Sequence, residues 1–349
     1  MIKAAKVIEQ VNNVILGKDR EVKEIMAAFL AGGHILLEDI PGGGKTTLAT
    51  AFSRAMKLDC KRVQFTPDVM PSDLTGYSVY RSDIGQFVYQ PGSVFCNLLL
   101  ADEINRTSPK TQSALLEVME ERKVSVEGIT REVPNPFIVI ATQNPYGNAG
   151  TQSLPEAQMD RFMITMSIGY PDFDSEMDMA MSIGKKGRAE SVVPVITAED
   201  IGHMQDEIYE VYMNKSIYKY IVDLVTATRN SPYIERGASP RATIALVKMS
   251  KAWAWLNGRD YVIPSDVSTQ FEYVISHRVG MGMSARMEKL TKQDVIKGKG
   301  KVIDLVFPIL VLIICCIIGM IYTGGFFDGK GFVDAFAGSD ASIGLMLGS

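Results

Sequence analysis

Apolar positions along the chain follow two kinds of pattern, and the change between them divides the sequence. Between Glu21 and Ala31, the residues Val22, Ile25, Met26, Phe29 and Leu30 recur at the i, i+3, i+4, i+7, i+8 spacing of a helix with one buried face. Short, unbroken apolar runs follow at HILLE, RVQF, NLLLADE, PFIVIAT and FMITMSI, separated by helical or loop-rich stretches. Runs of this length without polar alternation predict strands buried on both sides, and hence a mostly parallel sheet with helices on both faces. Two stretches do alternate, GYSVYRSDIGQFVYQPG around Gly85 and KVSVEGITREV around Gly128, and both predict β-hairpins projecting from that core. After Tyr170-Pro171 the strand signals stop. Helical spacing then runs to about Ile296, with Ile217, Tyr220, Ile221, Leu224 and Val225 on one face. The expected order is an α/β domain over 1–170 and a smaller α-helical domain over 171–296.

The C-terminal segment departs from both patterns. Leu305 to Tyr322 is an uncharged run of 18 residues, near the lower limit for crossing a bilayer core of about 30 Å at about 1.5 Å per residue. It lacks the polar stripe of a surface helix, so a transmembrane helix over 305–322 is expected, with a buried helix of a soluble domain as the alternative. The lysines of KGKGK just upstream would hold that side in the cytoplasm.

Composition adds bounds. With 349 residues, 46% of them hydrophobic and 22% charged, the chain can bury the core of more than one folded unit. A net charge of -4 gives no global reason to bind nucleic acid, so none is expected as a partner. Cys60 and Cys96 stand far apart and Cys315 and Cys316 are adjacent, which makes neither a disulfide framework nor metal-ligand spacing. The opening MIKAAKVIEQVNN lacks the apolar segment and cleavage signature of a secretory signal, so the expected location is cytoplasmic, with membrane association if the span is genuine.

Three strand ends carry the candidate chemistry. After HILLE comes PGGGKTT, Pro41 to Thr47, and then the helix-like TLATAFSRAM. In that context Gly42, Gly43 and Gly44 let backbone N–H groups converge on phosphate oxygens, Lys45 can reach the β and γ phosphates, and Thr46 can ligate Mg²⁺. A flexible linker is the plainer reading, and Asp39 stands where the phosphate-loop pattern expects glycine. The second strand, LLLADEIN, ends in Asp102 and Glu103, adjacent carboxylates that a buried strand would avoid without partners. Asp102 could hold Mg²⁺ through water and Glu103 could orient or deprotonate an attacking water, although both could simply be acids at a helix N-terminus. The third, PFIVIATQNP, delivers Asn144, able to hydrogen-bond a nucleophilic water or a γ-phosphate but also a common turn residue before proline. Arg161 in LPEAQMDRF and Arg241 in GASPRAT complete the set, with surface salt bridges as the plain reading for each.

In order, EDIPGGGKT, QFTPDVMPSDLTG, NLLLADEINRTSPKTQSALLEVMEE, ATQNP, LPEAQMDRF and GASPRA resemble the segments of a MoxR-type AAA+ ATPase over about residues 5 to 296. Members of that family also carry non-glycine residues before the loop. The resemblance implies a P-loop NTPase core with β-hairpin insertions and an α-helical lid. It implies ATP and Mg²⁺ as cofactors, Lys45 and Thr46 as Walker A, Asp102 and Glu103 as Walker B and Asn144 as sensor 1. It further implies Arg161 as an arginine finger acting on a neighbour's nucleotide, Arg241 as sensor 2, and a homo-oligomeric, usually hexameric, ring. VILGKD resembles the segment along the adenine, which implies base contact at Gly17, although glutamine is common where Lys18 stands. The implied activity is ATP hydrolysis coupled to remodelling of a client, often a von Willebrand factor A domain protein or a metal-dependent enzyme. The hairpins would face the client or a neighbouring subunit, or merely pack the ring. An ATP-binding scaffold or membrane-anchored regulatory module with little turnover is the alternative function. From about Lys297 the tail resembles a fragment of an NhaC-type sodium/proton antiporter, by gene fusion or a joined reading frame. One span cannot form a transport pathway.

Overall fold

The computed structural model describes residues 1–38, 44–144, 154–181 and 191–281. All of them fall within one compact unit, Met1–Leu290. The candidate span at 305–322 lies outside the described residues; among those described, no helix is long and apolar enough to cross a membrane.

Helices α1 (Ile2–Asn12) and α2 (Asp19–Leu30) precede strand β1 (Ile35–Glu38), and α3 (Lys45–Ala55) and β2 (Cys60–Gln64) follow it. A short α4 (Pro71–Thr75) leads into a first hairpin, β3 (Tyr77–Arg81) with β4 (Gln86–Gln90). Next come β5 (Leu98–Asp102), a 3-10 turn at Ile104–Arg106 and α5 (Pro109–Glu121). A second hairpin joins β6 (Lys123–Val126) to β7 (Ile129–Glu132) and leads to β8 (Ile138–Gln143). The α/β part closes with α6 (Glu156–Met159) and β9 (Ile164–Met166). Beyond it lie α7 (Phe173–Met181), α8 (Ala198–Tyr209), α9 (Lys215–Asn230), β10 (Ile234–Arg236), α10 (Pro240–Leu256), α11 (Pro264–Ile275) and β11 (Gly280–Met281).

The central sheet has the order β2-β5-β8-β1-β9, and every pair in it is parallel. Its strands are buried on both faces, which is why they read as continuous apolar runs. Leu36, Leu99, Val139 and Ala141 point to one side and pack with Leu115, Leu116 and Met119 of α5. Leu37, Leu100 and Ile140, one residue out of phase, are equally buried on the other. The helix starts are written locally: Ser108 caps α5 and Ser239 caps α10, each followed by proline at the first helical position, and Thr197 with Asp200 forms a capping box on α8.

Both hairpins form as the alternation predicts. They also lie side by side, with Ser78 Oγ donating to Glu127 at 2.6 Å and the Arg131 guanidinium 3.7 Å from the Tyr89 ring centroid. Strand signals do not end at Pro171 as expected: β10 and β11 form a small antiparallel pair within the helical part. At three and two residues they are too short to leave a period in the sequence.

Candidate active site

Because the sheet is parallel, its carboxyl ends lie together, and three of the predicted strand ends meet there. Asp102 closes β5 in register with Gln64, and Gln143, just before Asn144, closes β8 opposite Glu38 of β1. Glu38 Oε1 accepts from Gln143 Nε2 at 2.6 Å. Pro41, Gly42 and Gly43 lie outside the described residues. Gly44 takes a left-handed conformation, φ 76°, at the start of α3, and a Cβ there would meet nothing within 4 Å. Among the described residues, no side chain caps α3. The first-turn N–H groups that follow Lys45, at the exposed Thr46 and Thr47, therefore lack intrahelical partners, the arrangement by which helix starts hold anions.

The adjacent carboxylates do have partners. Thr142 Oγ1 donates to Asp102 Oδ1 at 2.7 Å and accepts the N–H of Glu103 at 2.9 Å, so one hydroxyl ties the two acids to β8. Arg62 of β2 pairs with Asp102 Oδ2 at 2.7 Å. Glu103 turns out of the strand through a left-handed backbone, φ 57°, and its Oε2 accepts from Arg106 Nη1 at 2.6 Å. Asn105 is buried, donates to the carbonyl of Asn144 at 3.4 Å, and leaves its own Oδ1 without a partner among the described residues. Sequence reading missed Arg62, Thr142, Asn105 and Arg106. Of these only Arg106 carried a signal, as the cation three residues after Glu103 within EINR.

Gly17 lies between α1 and α2 against the start of α7. A Cβ there would stand 2.6 Å from Ser175 Oγ and 2.9 Å from Asp172 Oδ2, so no larger residue fits without displacement. Its Asp172 neighbour is held below the usual carboxylate range by the backbone and hydroxyl of Ser175.

Arg161 and Arg241 stand apart from this group. Arg161 precedes β9, at the amino end of the sheet, where it lines a pocket of about 260 Å³ together with Gly33, His34, Glu120 and Arg241. One strand length, about 15 Å, separates that end from the carboxylates. Both arginines pair with one carboxylate: Arg161 Nε lies 3.3 Å from Glu120 Oε2, and Arg241 bonds Oε1. Asp160 joins the parts behind them. Its Oδ2 accepts from Ser239, the cap of α10, at 2.7 Å, and its Oδ1 from the buried Arg278 at 2.7 Å. Arg278 also donates to the carbonyls of Phe162 and Met163, and burial lowers its pKa against the pull of Asp160. His34 bridges two elements: Nδ1 accepts the N–H of Val139 and Nε2 donates to Met119 O, while burial pushes its pKa down to about 3.

Comparison with known proteins follows this division. Residues 34–164 match the ATPase family associated with various cellular activities (AAA), and residues 226–298 match an AAA lid domain. The chain is 45% identical over 292 residues to the uncharacterized protein YeaC of Bacillus subtilis, covering 84% of this chain and 91% of that one. It is 36% identical over 300 residues to Chaperone MoxR1 of Mycobacterium tuberculosis, covering 83% and 79% respectively. With Protein MoxR of Methylorubrum extorquens the identity is 31% over 300 residues, covering 79% and 87%. A crystal structure from Cytophaga hutchinsonii superposes with a TM-score of 0.80 at 38% identity, covering 85% of this chain and 92% of that one. The family matches end at residue 298 and lend no support to an antiporter-like tail. A parallel five-stranded α/β core with a helical lid, matched along most of its length to proteins named MoxR, identifies this chain as a member of the MoxR-type AAA+ ATPase family.

Proposed function

We propose that the chain hydrolyses ATP to remodel a partner protein, and that each active site is built from two chains. One observation carries this reading. Lys45, Asp102, Glu103 and Asn144 gather at the carboxyl ends of the sheet, whereas Arg161 and Arg241 gather at its amino ends. A set so divided completes a single site only when the arginine end of one copy meets the nucleotide end of the next. Such an interface is head-to-tail and closes into a ring, on the family pattern of six subunits.

The residues fit a nucleotide with a divalent cation: a helix start after β1 with open space at Gly44, and two carboxylates at the same carboxyl edge of the sheet, at the end of β5 two strands away. Lys45 would hold the β and γ phosphates, and Gly17 would lie along the base. Bound Mg²⁺, held by Thr46 and by Asp102 through water, would neutralise the phosphate oxygens and fix their orientation. Thr142 orients Asp102 for that task. Glu103 would take the proton of the attacking water. In the resting chain Arg106 holds its carboxylate, so turnover requires that pair to open. Asn144 would orient the same water, and Arg161 and Arg241 would stabilise charge on the phosphate of the adjoining chain. The first hairpin exposes Tyr77, Tyr80, Ile84 and Phe87, an apolar surface suited to a client or a neighbouring subunit. The client class follows relatives named as chaperones, with a von Willebrand factor A domain protein or a metal-dependent enzyme as the partner sought.

Phosphate release measured against protein concentration tests the reading. Specific activity should rise with concentration as copies meet. Lys45→Ala should lose ATP binding, and Glu103→Gln should bind ATP yet turn over about 100-fold more slowly. ATP binding without phosphate release at any concentration would instead favour a nucleotide-gated scaffold.

A further inference from the structure

Glu120 has no role in the scheme above, yet among the described residues it is the one carboxylate paired with both arginines. It sits in the last turn of α5, on the helix that begins six residues after Glu103. Arg161 comes from the α/β core and Arg241 from the lid, so two long side chains on separate elements converge on it. Asp160 fixes their backbones by joining Ser239 and Arg278 to the start of β9. That joint leaves the side-chain tips undetermined, and Glu120 determines them.

The manner of contact matters. Arg161 approaches Glu120 with its Nε edge, and its guanidinium carries two further Nη groups able to donate to another anion. Arg241 meets it through one Nη and is itself exposed. Two guanidinium groups and one carboxylate leave a net positive charge at the rim of the pocket. Glu120 is about 39% exposed, and ion pairs that wet contribute little to folding. The arrangement is therefore poor as a fold-stabilising device and well suited to orienting donors.

We infer that Glu120 is a positioning residue which sets Arg161 and Arg241 as a pair, with their free N–H donors turned toward the nucleotide phosphate of a neighbouring chain. This rests on the two-chain site proposed above. Its test is steady-state phosphate release by the full chain at concentrations where wild-type activity has levelled off. Glu120→Gln should lower kcat about ten-fold while leaving KM for ATP within about a factor of two, because orientation matters most as charge develops on the phosphate. Its thermal midpoint should match the wild type, and Glu120→Asp, which keeps the charge one methylene shorter, should recover part of kcat. In an Arg161→Ala, Arg241→Ala background, Glu120→Gln should cost nothing further, as expected of a residue acting only through those two. Wild-type kcat in Glu120→Gln, or an undiminished loss in the double-arginine background, would overturn the inference. If the arginine variants damage turnover and Glu120→Gln does not, Glu120 alone is wrong; if the arginine variants are fully active, the two-chain site falls with it.

Discussion

Glu24 is fully buried on α2, where its Oε2 accepts from Gln270 Nε2 of α11 at 2.8 Å. Its Oε1 and the Oε1 of Gln270 are both buried without partners among the described residues, and one proton shared between them would satisfy both. Burial raises the pKa of Glu24 to about 7; the Gln270 bond, Arg20 and Lys23 oppose that rise, and Glu21 adds to it. Between the ordinary carboxyl value and about 7 the folded chain keeps a proton that the unfolded chain has lost, so stability falls as pH rises through that window. The full deficit above it is about 3 kcal/mol. Glu24→Gln keeps the paired geometry and removes the titration. Urea midpoints from pH 5 to pH 8 should thus decline for the parent and stay level for Glu24→Gln, which should be the more stable at the alkaline end. None of this was legible in the chain, where Glu24 reads as one more polar position on a helix. The ends of the nucleotide-facing strands were legible, because charge closing an apolar run stands out at once. Their partners were not: Arg62 and Thr142 reach Asp102 from 40 residues away on either side, and sequence carries no mark of such distance.

The joint between β9, α10 and α11 shows what element packing adds. Arg278 is almost wholly enclosed, and among the described residues Asp160, 118 residues earlier, supplies its one carboxylate partner. Removing that partner leaves a buried cation with carbonyls alone. Asp160→Ala should therefore destabilise the fold by about 3 kcal/mol, read as a lower urea midpoint. The α/β core and both hairpins could be drawn from periodicity, since a strand buried on two faces and a strand buried on one write different patterns. The helical part was legible as helices from spacing and as a lid from the family resemblance; its docking on β9 was not, because docking depends on single polar contacts such as Ser239 to Asp160 rather than on a repeated spacing.

At the scale of the whole molecule, the division of the site between two ends of one sheet makes a prediction about mixtures. A Lys45→Ala chain keeps its arginines, and an Arg161→Ala chain keeps its nucleotide loop. Each alone should be nearly inert. Mixed in equal amounts and reassembled, about one quarter of random junctions pair an intact loop with an intact arginine. Phosphate release should then recover to a similar fraction of wild type, and a mixture as inert as its components would count against shared sites. The helix α5 gives such an assembly one further property. Its 13 residues, about 20 Å of stiff rod, begin six residues after Glu103 and carry Glu120 in the last turn. In the proposed assembly, a displacement at one nucleotide would reach along α5 to the arginines that serve the next chain. In a closed circle of such chains the coupling along α5 would be reciprocal, so each nucleotide would feel the state of both its neighbours.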